Sequence, residues 1–177
     1  MNIGLLGLGS LLTPQIKRSV FVSYHHGGDQ HYYQAFSSVF SETCGIFRDR
    51  SLVRAYNSDD TDYVRWQIRQ NDITGTSCTI VLCGAGTPTR KYVDWEIKAT
   101  LDKSHGLIGI WLPTLPLGQN GGTDKPARLQ DNLDSGYAKW IRWDQLSAES
   151  LRMTIESSVV APRSLIQNWR PLRQRNG

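Results

Sequence analysis

Two short runs constrain the fold of this chain more than anything else in it. Thr76 to Cys83 (Thr-Ser-Cys-Thr-Ile-Val-Leu-Cys) and Leu107 to Leu112 (Leu-Ile-Gly-Ile-Trp-Leu) are apolar on nearly every position. A strand with one solvated face alternates apolar and polar residues. One that is apolar throughout is covered on both faces, as in parallel sheets. Gly84-Ala85-Gly86 closes the first run and Pro113 the second. Ser19 to Tyr24 reads as an earlier strand broken by Gly27-Gly28, a short strand is read near Gly45 to Arg48, and Tyr137 to Trp143 gives the last.

Helical patterns fall between these strands. Asp29 is read as the cap of a helix through Phe40, and Thr61 to Ile73 as a helix ended by Gly75. Arg90 to Lys103 is helical up to His105-Gly106, and Ser147, with Ser150 as an alternative cap, opens a helix to about Val160. Thr114 to Asp134 is read as a long Gly/Pro/Asn loop. The βα alternation predicts a three-layer α/β domain with a five-stranded parallel sheet, ordered 2-1-3-4-5, and helices on both faces. Ligands of such sheets bind beyond the carboxyl ends of the strands, so the loops after Tyr24, Arg48, Cys83 and Leu112 are the places for function.

With 177 residues, the chain suits one domain. We divide it into an N-terminal extension (1–17), the α/β domain (18–160) and a basic C-terminal tail (161–177). Six Trp, seven Tyr and four Phe exclude a disordered chain. The longest apolar-rich stretch, Ile3 to Leu12, is too short to span a membrane and lacks the basic lead-in of a secretory signal. Its leucines are expected to pack on the domain or on a second copy, so no membrane partner is expected and self-association is. The formal net charge is +4, with Arg163, Arg170, Arg173 and Arg175 crowding the C-terminus. That tail is read as solvated, and without an RNP, zinc-finger or helix-turn-helix spacing no nucleic-acid partner is expected. Cys44, Cys78 and Cys83 are odd in number and form no CxxC, so they read as small buried hydrophobes of a cytoplasmic protein. Cys78 and Cys83 should point to opposite faces of their strand.

The helix at 90–103 holds the most informative anomaly. Its apolar arc runs through Trp95, Ala99, Tyr92, Val93, Ile97 and Leu101, and Glu96 falls near the middle of that arc. A carboxylate on an inner face costs free energy unless it is paired, protonated or in a solvated cleft. Glu96 is therefore either a structural partner of Arg90 or another arginine, or a cleft carboxylate that meets substrate. Ser23 and Tyr24 end the first strand and should sit at the cleft mouth. His25 and His26 follow, with Asp29 and His31 nearby. Neighbouring histidines in an extended segment diverge, so no metal site is expected there; contact with an anionic ligand is. The Gly84–Thr87 loop, at a helix N-terminus, offers amides that suit a phosphate.

These residues resemble a family. Val20-Phe-Val-Ser-Tyr-His-His26 resembles the first strand and following loop of TIR domains, and Phe47-Arg-Asp49 the end of their second strand. Tyr92-Val-Asp-Trp-Glu-Ile97 is similar to the Trp-x-x-x-Glu helix motif of NAD-cleaving TIR enzymes, with Tyr92 in place of Trp and Val93 in place of a frequent Cys. The resemblance runs from about Arg18 to Trp143, and its form is closest to the TIR-like ThsB proteins of Thoeris antiphage defence. It implies a flavodoxin-like sheet and NAD+ as substrate, with no cofactor. Glu96 is then the catalytic carboxylate, and Ser23, Tyr24, His25, His26, Asp49 and Tyr92 line the substrate cleft. Family members cleave the bond between nicotinamide and ribose, and some cyclise the ADP-ribose into a diffusible signal for a partner effector. A non-catalytic TIR interaction module and a nucleoside deoxyribosyltransferase-like enzyme are the alternatives.

Overall fold

The computed structural model describes residues 17–47, 70–118 and 121–177. The Ile3–Leu12 segment, the acidic stretch 57–62, most of the helix expected over 61–73, and Asp49 lie outside the described residues. β1 (Ser19–Ser23), β3 (Cys78–Cys83), β4 (Gly106–Trp111) and β5 (Lys139–Arg142) form the body of the sheet; the three-residue β2 (Gly45–Phe47) pairs with the free edge of β1. Every pairing is parallel and the order is β2-β1-β3-β4-β5. The α/β class and parallel sheet read from the two apolar runs are thus present, and all six residues of β3 are buried.

Among the described residues, four complete helices cover the two faces, and residues 70–74 are also helical. α1 (His26–Phe40) and α4 (Ala148–Val159) pack Phe36, Phe40, Leu151 and Ile155 against Val20, Val22, Ile80, Leu82, Ile108 and Ile110. On the other face, α2 (Lys91–Asp102) and α3 (Ala127–Asp134) pack Val93, Ile97, Leu101 and Leu129 against Val81, Cys83 and Leu107. Period-two alternation in β3 divides its cysteines as expected, Cys78 to the first core and Cys83 to the second. Burial pushes the Cys44 thiol up to about 11 and the Cys78 thiol up to about 12, so both stay protonated and inert. α4 begins with a reciprocal cap in which Ser147 and Ser150 each bond the other's backbone amide.

Three expectations need correction. Asp29 does not cap α1: His25 occupies the N-cap position, and Asp29 lies buried within the first turn. The stretch 114–134 is not all loop, because α3 occupies its last eight residues. The basic tail is solvated only in part, with Arg163 and Arg175 exposed. Residues 168–177 run along α2 and α3 as a strap, fastened by polar bonds.

Arg128 of α3 is the anchor of that strap. It is fully buried, and its guanidinium donates to Asp94 (2.9 Å), to the Asn168 side chain (2.8 Å) and to the carbonyls of Arg170 (2.9 Å) and Pro171 (3.1 Å). Asp94 also accepts from the Arg173 amide, and the Trp95 indole donates to the Arg173 carbonyl at 2.8 Å. Arg170 forks onto Asp131, and the Asn176 side chain accepts from the Lys91 amide. Buried polar groups are tolerated when every one finds a partner, and this strap exists to supply them.

Candidate active site

The carboxyl edge of the sheet is assembled by a buried carboxylate that the sequence reading took for a cap. Asp29 is 2% exposed and accepts a hydrogen bond from the Thr87 hydroxyl at 3.1 Å. That bond ties the loops after β1 and β3 to one side chain. Burial raises the Asp29 pKa, and the Thr87 hydroxyl with the nearby His25 and His31 partly offsets that. Gly84 is obligatory here: a methyl group on it would lie 2.2 Å from the Asp29 Oδ1. Gly84→Ala is therefore expected to cost about 3 kcal/mol, the upper end for overpacking. Gly122→Ala, which meets nothing within 4 Å, should change stability by less than about 0.5 kcal/mol. Thermal melts of the two variants make the comparison.

Gly86 is specified in the same way by His25. Its added Cβ would lie 2.6 Å from the His25 Nδ1. Burial lowers the His25 pKa, and the nearby Arg90 lowers it further. His25 thus favours the neutral form, which does not suit the charge contact with an anion expected for it. The Gly84–Thr87 loop is no phosphate cradle either. The Gly84 amide donates to the Thr87 hydroxyl at 3.0 Å, and a carboxylate, not an anion-seeking cavity, lies behind it.

Strand register sets Ser23 and Glu96 at one height. Phe21 pairs with Thr79 and Ser23 with Val81. Phe21 clusters with Ile73 and Ala99, so Ser23, two residues on, shares the face that α2 covers. α2 is pinned low on that face by the Thr79–Thr100 hydroxyl pair at 2.6 Å. Glu96 is four residues above Thr100, about 6 Å along the helix, and Ser23 is two residues above Phe21, about 6.6 Å along the strand. Glu96 is 3% exposed, on the inner side of its helix as the arc analysis expects. Ser23 is 1% exposed, and its Oγ has no hydrogen-bond partner among the described residues. Arg90, one expected partner for Glu96, instead donates its Nε to the Gly86 carbonyl at 3.2 Å.

The other expected residues are distributed around this pair. Tyr24 turns to the opposite face, 4% exposed in the α1 core, with its hydroxyl donating to the Gln30 side chain and its ring stacked on Tyr33 at 4.5 Å. Alternation along the strand thus separates it from Ser23, and it does not sit at the mouth with Ser23 as expected. His26 packs its ring on Tyr24 at 4.2 Å. Tyr92, half-buried in the first turn of α2, meets Trp95 edge-on at 5.5 Å beneath the Lys91 ammonium. Among the described residues, no group of three His, Cys, Asp or Glu side chains is placed to hold a metal ion. None of the described helices is long and apolar enough to cross a membrane.

This geometry, a buried inner-face glutamate beside the end of β1 on a 2-1-3-4-5 sheet, has a counterpart among known families. The family described as the TIR-like domain of the Thoeris protein ThsB matches residues 21–116, more than half of the chain. The chain belongs to this family. No curated protein matches it. The match covers β1 through β4 and includes Ser23, His25, Asp29, Tyr92 and Glu96, so every element that builds the carboxyl edge lies within the ThsB-type region. The α3–strap half lies beyond it and is how this ThsB-type domain completes its second helical layer.

Proposed function

We propose that the chain is a NAD+-cleaving enzyme of Thoeris antiphage defence. In this reading it releases nicotinamide and cyclises the remaining ADP-ribose into a signal that activates an effector. The observation that carries the reading is Glu96, buried on the inner face of α2 at the height of Ser23, beside the carboxyl edge where open α/β sheets take ligands.

One carboxylate suffices for this chemistry. Nicotinamide leaves as a neutral molecule, so no strong general acid is needed. The barrier lies in the cationic, oxocarbenium-like ribose that remains. Glu96 stabilises that charge and orients the sugar through a ribose hydroxyl. Ser23 and the neutral His25 imidazole complete the polar side of the cleft. The acceptor is chosen by position: water gives ADP-ribose, whereas an adenine nitrogen or a ribose hydroxyl gives a ring. NAD+ is a substrate here and no further cofactor is used. The product diffuses to its effector through the cytoplasm.

The deciding experiment is incubation of the protein with NAD+ and quantitation of free nicotinamide, followed by chromatography of the nucleotide product against ADP-ribose. Stoichiometric release of nicotinamide with a product that differs from ADP-ribose is the expected result. Absence of release at any protein concentration would overturn the reading in favour of an interaction module. Turnover of nucleosides in place of NAD+ would point to a deoxyribosyltransferase.

A further inference from the structure

Glu96 is carried by a helix that is capped from the strap. Arg90 occupies the N-cap position of α2, and its side chain makes no capping bond. Its Nε donates to the Gly86 carbonyl instead. The first amides of a helix have no partner within it. At α2 the Lys91 amide finds one 85 residues away, where the Asn176 Oδ1 accepts it at 3.0 Å. Asparagine is among the best capping side chains, and here the strap supplies it. Beside it, the strap meets the turn that leads into the helix. The Gly177 amide donates to the Thr89 carbonyl at 3.2 Å, and the Thr89 hydroxyl donates to the Gly177 carbonyl at 3.2 Å.

The two residues before Glu96 are held by the same strap. Asp94, already paired with Arg128, also accepts from the Arg173 amide at 2.9 Å, and the Trp95 indole donates to the Arg173 carbonyl at 2.8 Å. Consecutive helix positions lie about 100° apart around the axis, so one backbone residue grips α2 at two azimuths. A helix gripped in this way cannot roll without breaking a bond. The sheet side controls roll less at this level. Val93 and Ile97 make apolar contacts, which are non-directional. The Thr79–Thr100 hydroxyl pair acts four residues further on. A side chain about 5–6 Å from the axis moves by about 1 Å for a roll of about 10°. Misplacement of that size at a reacting centre costs up to about 10²-fold in rate.

We propose that Arg173 and Asn176 are positioning residues. Acting through Asp94, Trp95 and the Lys91 amide, they set the roll of α2 and with it the place of the Glu96 carboxylate. The proposal rests on the NAD+ reading above for what Glu96 does. Neither residue lies in the ThsB-type region, so the clamp belongs to the part of the chain that completes the second helical layer.

Arg173 acts through its backbone, so the test removes its partner. Trp95→Phe keeps an aromatic ring and deletes the indole N–H. Asn176→Ala deletes the cap at an exposed position. Each is expected to lower kcat for nicotinamide release about fivefold or more and leave the KM for NAD+ unchanged, because the placement of Glu96 matters in the transition state. Asn176→Asp, whose carboxylate accepts from the same amide and suits a helix N-terminus, should restore the rate. Gln174→Ala removes a strap side chain that donates to the Leu172 carbonyl, and should change neither parameter. Amide hydrogen exchange over residues 91–96, read on the same full-length chains without NAD+, should quicken in Asn176→Ala and return to the wild-type rate in Asn176→Asp. A wild-type kcat in both Trp95→Phe and Asn176→Ala would overturn the clamp. So would a loss that Asn176→Asp does not repair, or one that Gln174→Ala reproduces. If the unaltered chain releases no nicotinamide, the NAD+ reading falls and hydrogen exchange decides: quickened exchange in Asn176→Ala upholds the clamp on α2, and unchanged exchange removes it.

Discussion

Glu96→Gln is expected to slow nicotinamide release by about 10²-fold or more, the usual loss when a preorganised electrostatic group is removed from a transition state. The swap keeps the size of the side chain and most of its hydrogen-bonding reach. What it removes is the negative charge that faces the developing cation. The KM for NAD+ should change little, because the intact substrate carries less positive charge at the ribose than the transition state does. The fold should survive, since Val93, Ile97 and the Thr79–Thr100 pair hold α2 to the sheet. The competing expectation is distinct. A glutamate that served only to neutralise an arginine would leave that charge stranded in the variant, at a cost of about 3–5 kcal/mol. Melting temperature and nicotinamide release, measured on one preparation, separate the two. A variant that melts normally and keeps the wild-type rate would remove both.

Arg128→Ala is expected to be the most destabilising single substitution in the α3–strap layer. It deletes a guanidinium that is fully buried and leaves Asp94, 13% exposed at its side chain, without its cationic partner. It also orphans the Asn168 side chain and the Arg170 and Pro171 carbonyls. Breaking a buried pair from one side costs about 3–5 kcal/mol, equivalent to a fall of roughly 10 °C in a domain of this size. Trypsin should then cleave after Arg173 and Arg175 well below the melting temperature of the intact protein. The double replacement Arg128→Met with Asp94→Leu should recover part of the loss, because it removes both charges together. A double variant no more stable than Arg128→Ala would show that the strap, not the ion pair, carries the energy.

The pattern of what could be read beforehand follows from how each part is held. β1, β3 and β4 are buried by apolar side chains, so their residues announce themselves, and the parallel sheet follows from them. Glu96 was legible for the opposite reason: one charge in an apolar arc has few physical explanations. α3 was hard to see because polar side chains share its buried face with Leu129. Arg128 and Asn132 are both fully buried, and the Asn132 side chain donates to the Gln167 carbonyl and accepts from the Gln167 amide. Apolar periodicity cannot detect a helix that docks by hydrogen bonds. The strap hid in the same way, since arginines near a chain end read as solvated until the Arg170–Asp131 pair and the backbone bonds of Arg173 are in view. Asp29 is a subtler case. A short acidic residue after Gly27-Gly28 has the signature of a cap, and only Thr87, 58 residues away, reveals that it ties loops together. Tyr24 was placed on the wrong side because a residue just past a strand still keeps its alternation.

The strap also fixes an order in time. Trp95 and Arg173 are 78 positions apart, Asp94 and Arg173 79, and Lys91 and Asn176 85. Chains leave the ribosome from the N-terminus at about 5–20 residues per second, so α2 emerges roughly 4–16 s before the segment that covers its outer flank. During that interval β1, β3 and β4 can pair and α3 can dock, yet the helix that bears Glu96 lacks the bonds of Asp94 and Trp95 to Arg173. Long-range closures of this kind are the slow steps of folding. A nascent chain halted before Asn168 would therefore display a paired sheet and an α2 whose outer flank is still uncovered.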